Sequence, residues 1–365
     1  MLAVIAVALV ASTSATASAD PPVEHEAFTF PFGDFTATGQ LDYPSGARNA
    51  PVVVLIPGSS PEDLNADIGT SHIFLDIAND LTRRGYAVMR YNKRYVRGPG
   101  DVDGESYQTK LDLHGMRDDA EQVLQAAEAD THVDPRRVFV YGWSEGSTVA
   151  ADLAAAHPEL AGTIFQGPVA LGWRSVFGHQ TEFVQAPYLE RYAVNGTLGP
   201  AELQRAYSGD GGIEARAILQ TVCVDAPNGN FAVQPALDLD HDGTLDPNLE
   251  FRPRIEMLVD QMLAPGGSSI YSAGRTLPSV AEQAANLRAP VLTLQGAEDA
   301  NVPPAGANAL DAALGLSGNT DHTLRVFPGL GHSLGRTPDI LRDDFQPIDA
   351  SALDVLGGWL DNHTR

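Results

Sequence analysis

The sequence has a single cysteine, Cys223, so it holds no intrachain disulfide and gives no evidence on redox compartment. That cysteine lies in the apolar stretch Ile218–Val224, where a buried structural thiol is expected rather than a nucleophile. Basic side chains are scarce: 23 Lys and Arg stand against 47 Asp and Glu, a net charge of −24. Such a balance suits neither nucleic acid nor an anionic membrane surface. The charge is spread along the chain and reads as solubility or habitat. No apolar run reaches the roughly 20 residues needed to span a bilayer. Histidine spacing of the metalloprotease kind is missing, which removes support for zinc hydrolysis. The Gly98–Gly104 stretch lacks the Gly-Lys-[Ser/Thr] ending of a phosphate-binding loop.

What is present is a chain of 365 residues, 43% of them hydrophobic, enough for one large α/β domain with an insertion. Residues 1–19 carry no charged side chain. Leu2–Val10 is apolar, and Ala17-Ser18-Ala19 before Asp20 has the small-x-small form of a cleavage site. This segment is expected to be a secretory signal peptide, making the protein exported, with no membrane span in the mature chain. A disordered tail is the alternative.

Residues 24–43 alternate and are expected to form two antiparallel edge strands with a turn. Pro51–Gly58 is a continuous β-branched run of the kind buried in a parallel sheet. A helix over Ile73–Arg84, a strand over Tyr86–Tyr91 and a helix over Leu113–Ala129 come next, leading into the strand Val138–Gly142. Strands alternating with helices at this spacing predict βαβ units and a mostly parallel sheet flanked by helices. After a strand at Gly162–Pro168 the rhythm is lost until Pro290–Gly296. The segment 170–285 is too long for a simple connection, and contains helical pieces at Ala201–Tyr207 and Arg254–Met262. It is expected to be an inserted, largely helical cap, leaving 20–169 and 286–365 as the core. Alternation then resumes with a helix over Ala305–Leu314, a strand over Leu324–Phe327 and a helix over Ala350–Asn362.

The chemistry is expected at Gly142-Trp143-Ser144-Glu145-Gly146, between an apolar strand and the helical run Thr148–Ala154. Strand, sharp turn and helix are the context in which Gly-x-Ser-x-Gly marks a nucleophile elbow. Glycines at 142 and 146 remove Cβ atoms from a tight turn and leave Ser144 Oγ exposed. A serine needs a base, and the base needs an orienting group. His332 lies in the Gly-rich loop after the last strand, from which an imidazole can return to the sheet edge. Asp299, with Glu298 as its solvated neighbour, follows the preceding strand and is the expected acid. The order Ser, Asp, His differs from that of chymotrypsin and subtilisin.

These residues resemble the α/β-hydrolase superfamily, within it the esterase, dienelactone-hydrolase-like or serine-peptidase-like members. Members often read His-Gly-Ser-Gly-Pro, then Tyr-Asp-x-Arg-Gly, then Gly-His-Ser-Glu-Gly. Here the chain reads Pro57-Gly58-Ser59-Ser60-Pro61, then Tyr91-Asn92-Lys93-Arg94-Tyr95, then the Ser144 pentad. Pro57, Ser60, Asn92 and Trp143 depart from the pattern without removing a triad member. The resemblance implies an oxyanion hole from the backbone N–H groups of Ser59 and Glu145. It also implies an ester or related acyl substrate of small-molecule size, cleaved without a cofactor. A serine peptidase or acyl-aminoacyl hydrolase shares that chemistry, and a catalytically silent binding protein on the same fold is the alternative from another class.

Other features have plainer readings. Lys93 and Arg94 at a strand end are expected in structural ion pairs. Trp143 and Trp173 fit either an acyl pocket or plain core. Asp238-Leu239-Asp240-His241-Asp242-Gly243-Thr244-Leu245-Asp246 matches the start of a calcium loop. Asp238, Asp240, Asp242, Thr244 and Asp246 are the candidate ligands of a structural Ca2+ in the cap. Position twelve is Leu249, however, and Glu250 stands one residue late. The alternative is an acidic surface turn.

Overall fold

The computed structural model describes residues 22–364; the expected signal peptide over 1–19 lies outside them. Eight strands form one sheet: β1 (Val23–Phe32), β2 (Phe35–Pro44), β3 (Ala50–Ile56), β4 (Ala87–Tyr91), β5 (Val133–Trp143), β6 (Gly162–Gln166), β7 (Val291–Gly296) and β8 (His322–Phe327). Their spatial order is β1-β2-β4-β3-β5-β6-β7-β8. β1 and β2 form an antiparallel hairpin and β2 runs antiparallel to β4, while every later neighbour is parallel. Only β1 of the first two is an edge strand, because β2 is paired on both sides. The hairpin turns at Gly33-Asp34, where Gly33 has φ +61°.

The continuous apolar run of β3 is explained by its two covered faces. Val52, Val54 and Ile56 enter one buried cluster with Met89, Val140 and Phe165. Val53 and Leu55 point the other way, into a cluster with Phe139, Tyr141 and Leu294. Period-two side chains thus feed two cores, and no polar face remains in the sheet centre.

Helices cover those faces where the pattern predicts them. Leu113–Ala129 begins at Asp112, whose carboxylate accepts from Gly115 N–H, and buries Met116, Ala120, Val123, Leu124 and Ala127. Gly146–Ala156 follows β5 and is buried along most of its length. Pro304–Leu316 and Ala350–His363 complete the layers.

Between β6 and β7 lies the insertion, helical in the main and resembling a cap. It holds helices at Trp173–His179, Pro200–Tyr207 and Arg252–Leu263, with a small antiparallel pair, Cys223–Asp225 and Asn230–Val233. Leu189, Leu203, Leu219, Cys223, Leu245 and Phe251 form its own apolar cluster. Its two ends are different. Trp173, Val176, Leu277, Val280 and Ala284 pack into the main core, so the flanks of the expected 170–285 segment are continuous with the sheet layers.

Candidate active site

The C-terminal ends of β3, β5, β7 and β8 bring the site together. β5 enters the pentad, and Ser144 adopts φ +54°, a conformation rare for a residue with a Cβ. Its neighbours explain how the turn is tolerated. A Cβ on Gly142 would stand 2.5 Å from Gly146 O, and one on Gly146 would stand 2.5 Å from Ile56 O and Pro57 O. Ser144 N–H donates to Gln166 O at 2.9 Å, fastening the turn to the end of β6.

His332 and Asp299 are brought together. His332 Nδ1 lies 2.8 Å from Asp299 Oδ2, and both side chains are buried. Asp299 is held on both oxygens: Oδ2 also accepts from Gln295 Nε2, and Oδ1 accepts from Asn301 and Val302 N–H. Glu298 turns aside and accepts from Gly329 N–H. Burial opposes the imidazolium of His332, but the charge and hydrogen bond of Asp299 outweigh it and raise its pKa above the ordinary value.

Ser144 and His332 line one cavity of about 180 Å³ with Ser59, Ser60, Glu62, Ile68, Trp143, Ile213, Glu214, Asn301 and Phe345. Ile213 and Glu214 come from the insertion, which therefore forms part of the wall. Trp143 is both core and lining, its ring 5.6 Å from that of His332. Trp173 has its ring 4.1 Å from that of Tyr271 at a tilt of 40°, donates to Thr276 Oγ1, and does not line this cavity. Among the described residues, Ser59 N–H and Glu145 N–H donate to no protein group.

Three functional neighbours escaped the sequence reading. Glu62 is buried in the cavity wall and accepts from Gly58 N–H at 2.7 Å. Burial, opposed by Lys93, pushes its carboxyl up to about 7. Asp343 accepts from His332 N–H at 2.8 Å and Ala300 N–H at 3.2 Å, tying the loop of His332 to the loop of Asp299. Burial and the charge of Asp299 push Asp343 up to about 6. His179, on the insertion's first helix, bonds Asp299 O at 2.9 Å. None of the three lies in a sequence motif.

The acidic loop of the insertion brings ligand-type oxygens of Asp238, Asp240 and Glu250 within 4.8 Å of one another. All four aspartates also staple the loop itself: Asp238 accepts from Asp242 and Gly243 N–H, and Asp240 from Asp242 N–H. Asp242 Oδ1 accepts from Thr244 N–H and Oγ1, and Asp246 Oδ1 from Asn248 and Leu249 N–H. Glu250, buried, accepts from Leu239 and Asp246 N–H and closes the loop that Leu249 does not.

Sheet order, insertion and site geometry together define the fold as that of the α/β-hydrolase superfamily, with esterase-like and peptidase-like relatives. Residues 68–211 match the serine aminopeptidase S33 family and residues 271–357 the prolyl oligopeptidase family. The chain is 30% identical over 152 residues to esterase EstD of Thermotoga maritima, a match covering 40% of this chain and 34% of that protein. The matched part thus spans about a third of the esterase's length. The proline iminopeptidase of Mycobacterium smegmatis superposes with a TM-score of 0.52 at 18% identity, covering 93% of this chain and 98% of that one. The α/β hydrolase GrgF from Penicillium sp. gives 0.50 at 17%, covering 94% and 99%.

Proposed function

We propose that the protein is an exported serine hydrolase that cleaves a carboxylic ester, or a related acyl bond, through an acyl-enzyme on Ser144. The observation that carries this reading is one cavity lined by a serine at φ +54° and by an imidazole whose Nδ1 is held by a buried carboxylate. With Nδ1–H directed to Asp299, His332 has Nε2 available to take the Ser144 proton during attack. Ser144 Oγ bonds to the acyl carbon, and the tetrahedral oxyanion rests on Ser59 and Glu145 N–H. His332 then returns the proton to the departing alkoxide. In the second half it takes a proton from water, whose oxygen bonds to the acyl carbon; the bond to Ser144 Oγ then breaks, the proton passes from His332 to Oγ, and the acid leaves. Asp299 keeps its hydrogen bond to Nδ1–H and stabilises the imidazolium.

Ser144→Ala should abolish fluorophosphonate labelling and turnover while leaving the melting temperature near wild type. His332→Ala should lose comparable activity, since such groups act as a unit. Asp299→Asn should reduce kcat by on the order of 10⁴, the cost of the wrong tautomer, and Glu298→Gln should change it little. Full activity in Ser144→Ala would overturn the reading, and failure of the wild type to label would favour a binding protein.

A second reading, cleavage of a peptide or aminoacyl bond by the same residues, is supported by the two peptidase family matches and by Glu62 and Glu214 in the wall. p-Nitrophenyl esters of increasing chain length, assayed beside aminoacyl anilides, separate the two. Export predicts a mature N-terminus at or near Asp20, read by sequencing the secreted protein. A cytosolic protein with residues 1–19 intact would refute it.

A further inference from the structure

Lys93 leaves the end of β4 and passes beneath the Pro57–Pro61 loop, where its side chain is 1% exposed. Its ammonium donates to Gly58 O and, at 2.8 Å, to Glu145 Oε1, with Ser60 O at 3.5 Å. Gly58 N–H is already taken by Glu62. Tyr107 Oη–H donates to Ser59 O at 2.6 Å, and the Lys93 ammonium lies 5.5 Å from the centre of the Tyr107 ring.

Peptide geometry converts these contacts into a direction. Gly58 C=O and Ser59 N–H belong to one planar trans unit, so they point to opposite sides of it. A cation that fixes Gly58 O on the buried side therefore fixes Ser59 N–H on the other side, and Ser59 lines the cavity with Ser144. Tyr107 does the same for the next peptide by holding Ser59 O. Glu145, the second partner of Lys93, is fully buried and supplies the other free N–H. Lys93 is the hydrogen-bond partner of this carboxylate; its Oε2 makes no hydrogen bond among the described residues, with the buried Tyr271 hydroxyl beside the group.

We propose that Lys93, seconded by Tyr107, is a positioning residue that aims both oxyanion donors, Ser59 N–H and Glu145 N–H, at one point in the cavity. This rests on the acyl-enzyme reading of Ser144. A preorganised donor pair helps most when it is oriented before charge develops, because no reorganisation is then needed at the moment of reaction. A buried Lys–Glu pair is a weak source of stability, and here it ties the two halves of the proposed oxyanion site to each other.

The test is the double substitution Lys93→Met with Glu145→Gln, which removes both buried charges together and keeps both backbone donors. The expected result is a folded protein with KM within about twofold of wild type and kcat about 10- to 100-fold lower. That is at or below the roughly 10²–10³ cost of losing one oxyanion donor. Affinity for an alkyl boronic acid, whose tetrahedral adduct places an oxygen in the hole, should fall by the same factor as kcat. A packing role alone would move melting temperature and KM and leave the boronate-to-substrate affinity ratio unchanged. Wild-type kcat and boronate affinity in the folded double variant would overturn the proposal. Should that variant not fold, Tyr107→Phe decides. A several-fold loss of kcat and boronate affinity at unchanged KM supports the proposal, and unchanged kcat overturns it. Ser144→Ala run in parallel separates the two levels. An active Ser144→Ala sinks the acyl-enzyme reading, whereas an inactive one beside a fully active Lys93 variant sinks only the role of Lys93 and Tyr107.

Discussion

Burial and Asp299 act on His332 in opposite senses, and Asp299 prevails, so the imidazole keeps its proton to a higher pH than a free one. In the proposed mechanism His332 must be neutral to accept the Ser144 proton, so kcat/KM should rise with pH through a midpoint above the unperturbed value of about 6.5. Glu62 titrates at about 7 in the same cavity and its charge also favours the imidazolium. A pH profile of Glu62→Gln assigns the limb. A midpoint shifted modestly downward keeps it with His332, and its disappearance would give it to Glu62. The contrast between these residues shows what a sequence can carry. Ser144 is legible because its turn demands glycine on both sides, and His332 and Asp299 because each follows a strand in a glycine-rich or acidic loop. Glu62 and Asp343 act through burial and backbone contacts made across the fold, and neither leaves a pattern along the chain. Lys93 was legible as half of an ion pair, but its hold on Gly58 O required the approach of β3 to β4.

Elements with a strong period fell where the pattern put them. The helix Leu113–Ala129 has the expected bounds, and β7, the helix Pro304–Leu316 and the last helix differ from expectation only at their ends. The small strands at Cys223–Asp225 and Asn230–Val233 were invisible, since three or four residues cannot display alternation. The turn after β5 gives the clearest elemental prediction. Gly146→Ala pushes a Cβ against two backbone carbonyls that cannot move aside. It should cost roughly 1–3 kcal/mol or more, as overpacking does, measured by denaturant melts, with activity lost in parallel. The acidic loop of the insertion gives another. If Asp238, Asp240 and Glu250 share a calcium ion, millimolar Ca2+ added after chelation should raise the melting temperature, and Asp238→Ala with Asp240→Ala should remove the rise. No shift in the wild type would leave a turn stapled by its own backbone.

Across the whole molecule, the buried carboxylates set the response to pH. Burial raises Glu62 to about 7, and Asp119 and Asp343 to about 6 each. A carboxyl raised on folding stabilises the native state fully below its unfolded pKa, and that contribution is lost as pH climbs through the folded value. His332, also raised, acts in the same direction. Ion-paired carboxylates such as Asp134, lowered to about 2 by its Arg136 and Arg137 partners, contribute above the unfolded value and lose that contribution in acid. The melting temperature should therefore peak near the unfolded carboxylate values, at about pH 4, and fall as pH climbs through about 6–7. A scan that rises monotonically to pH 8 would contradict this. Salt should soften the alkaline decline by screening the net charge of −24. The lone thiol offers a different measurement. Cys223 is buried in the insertion's own cluster, and burial pushes its pKa to about 11. Only the thiolate attacks a disulfide reagent, so modification must wait for the insertion to open. The wild-type chain thereby carries a built-in stopwatch for that one movement. If labelling outpaces global unfolding, the insertion opens as a unit of its own while the sheet beneath it stays folded.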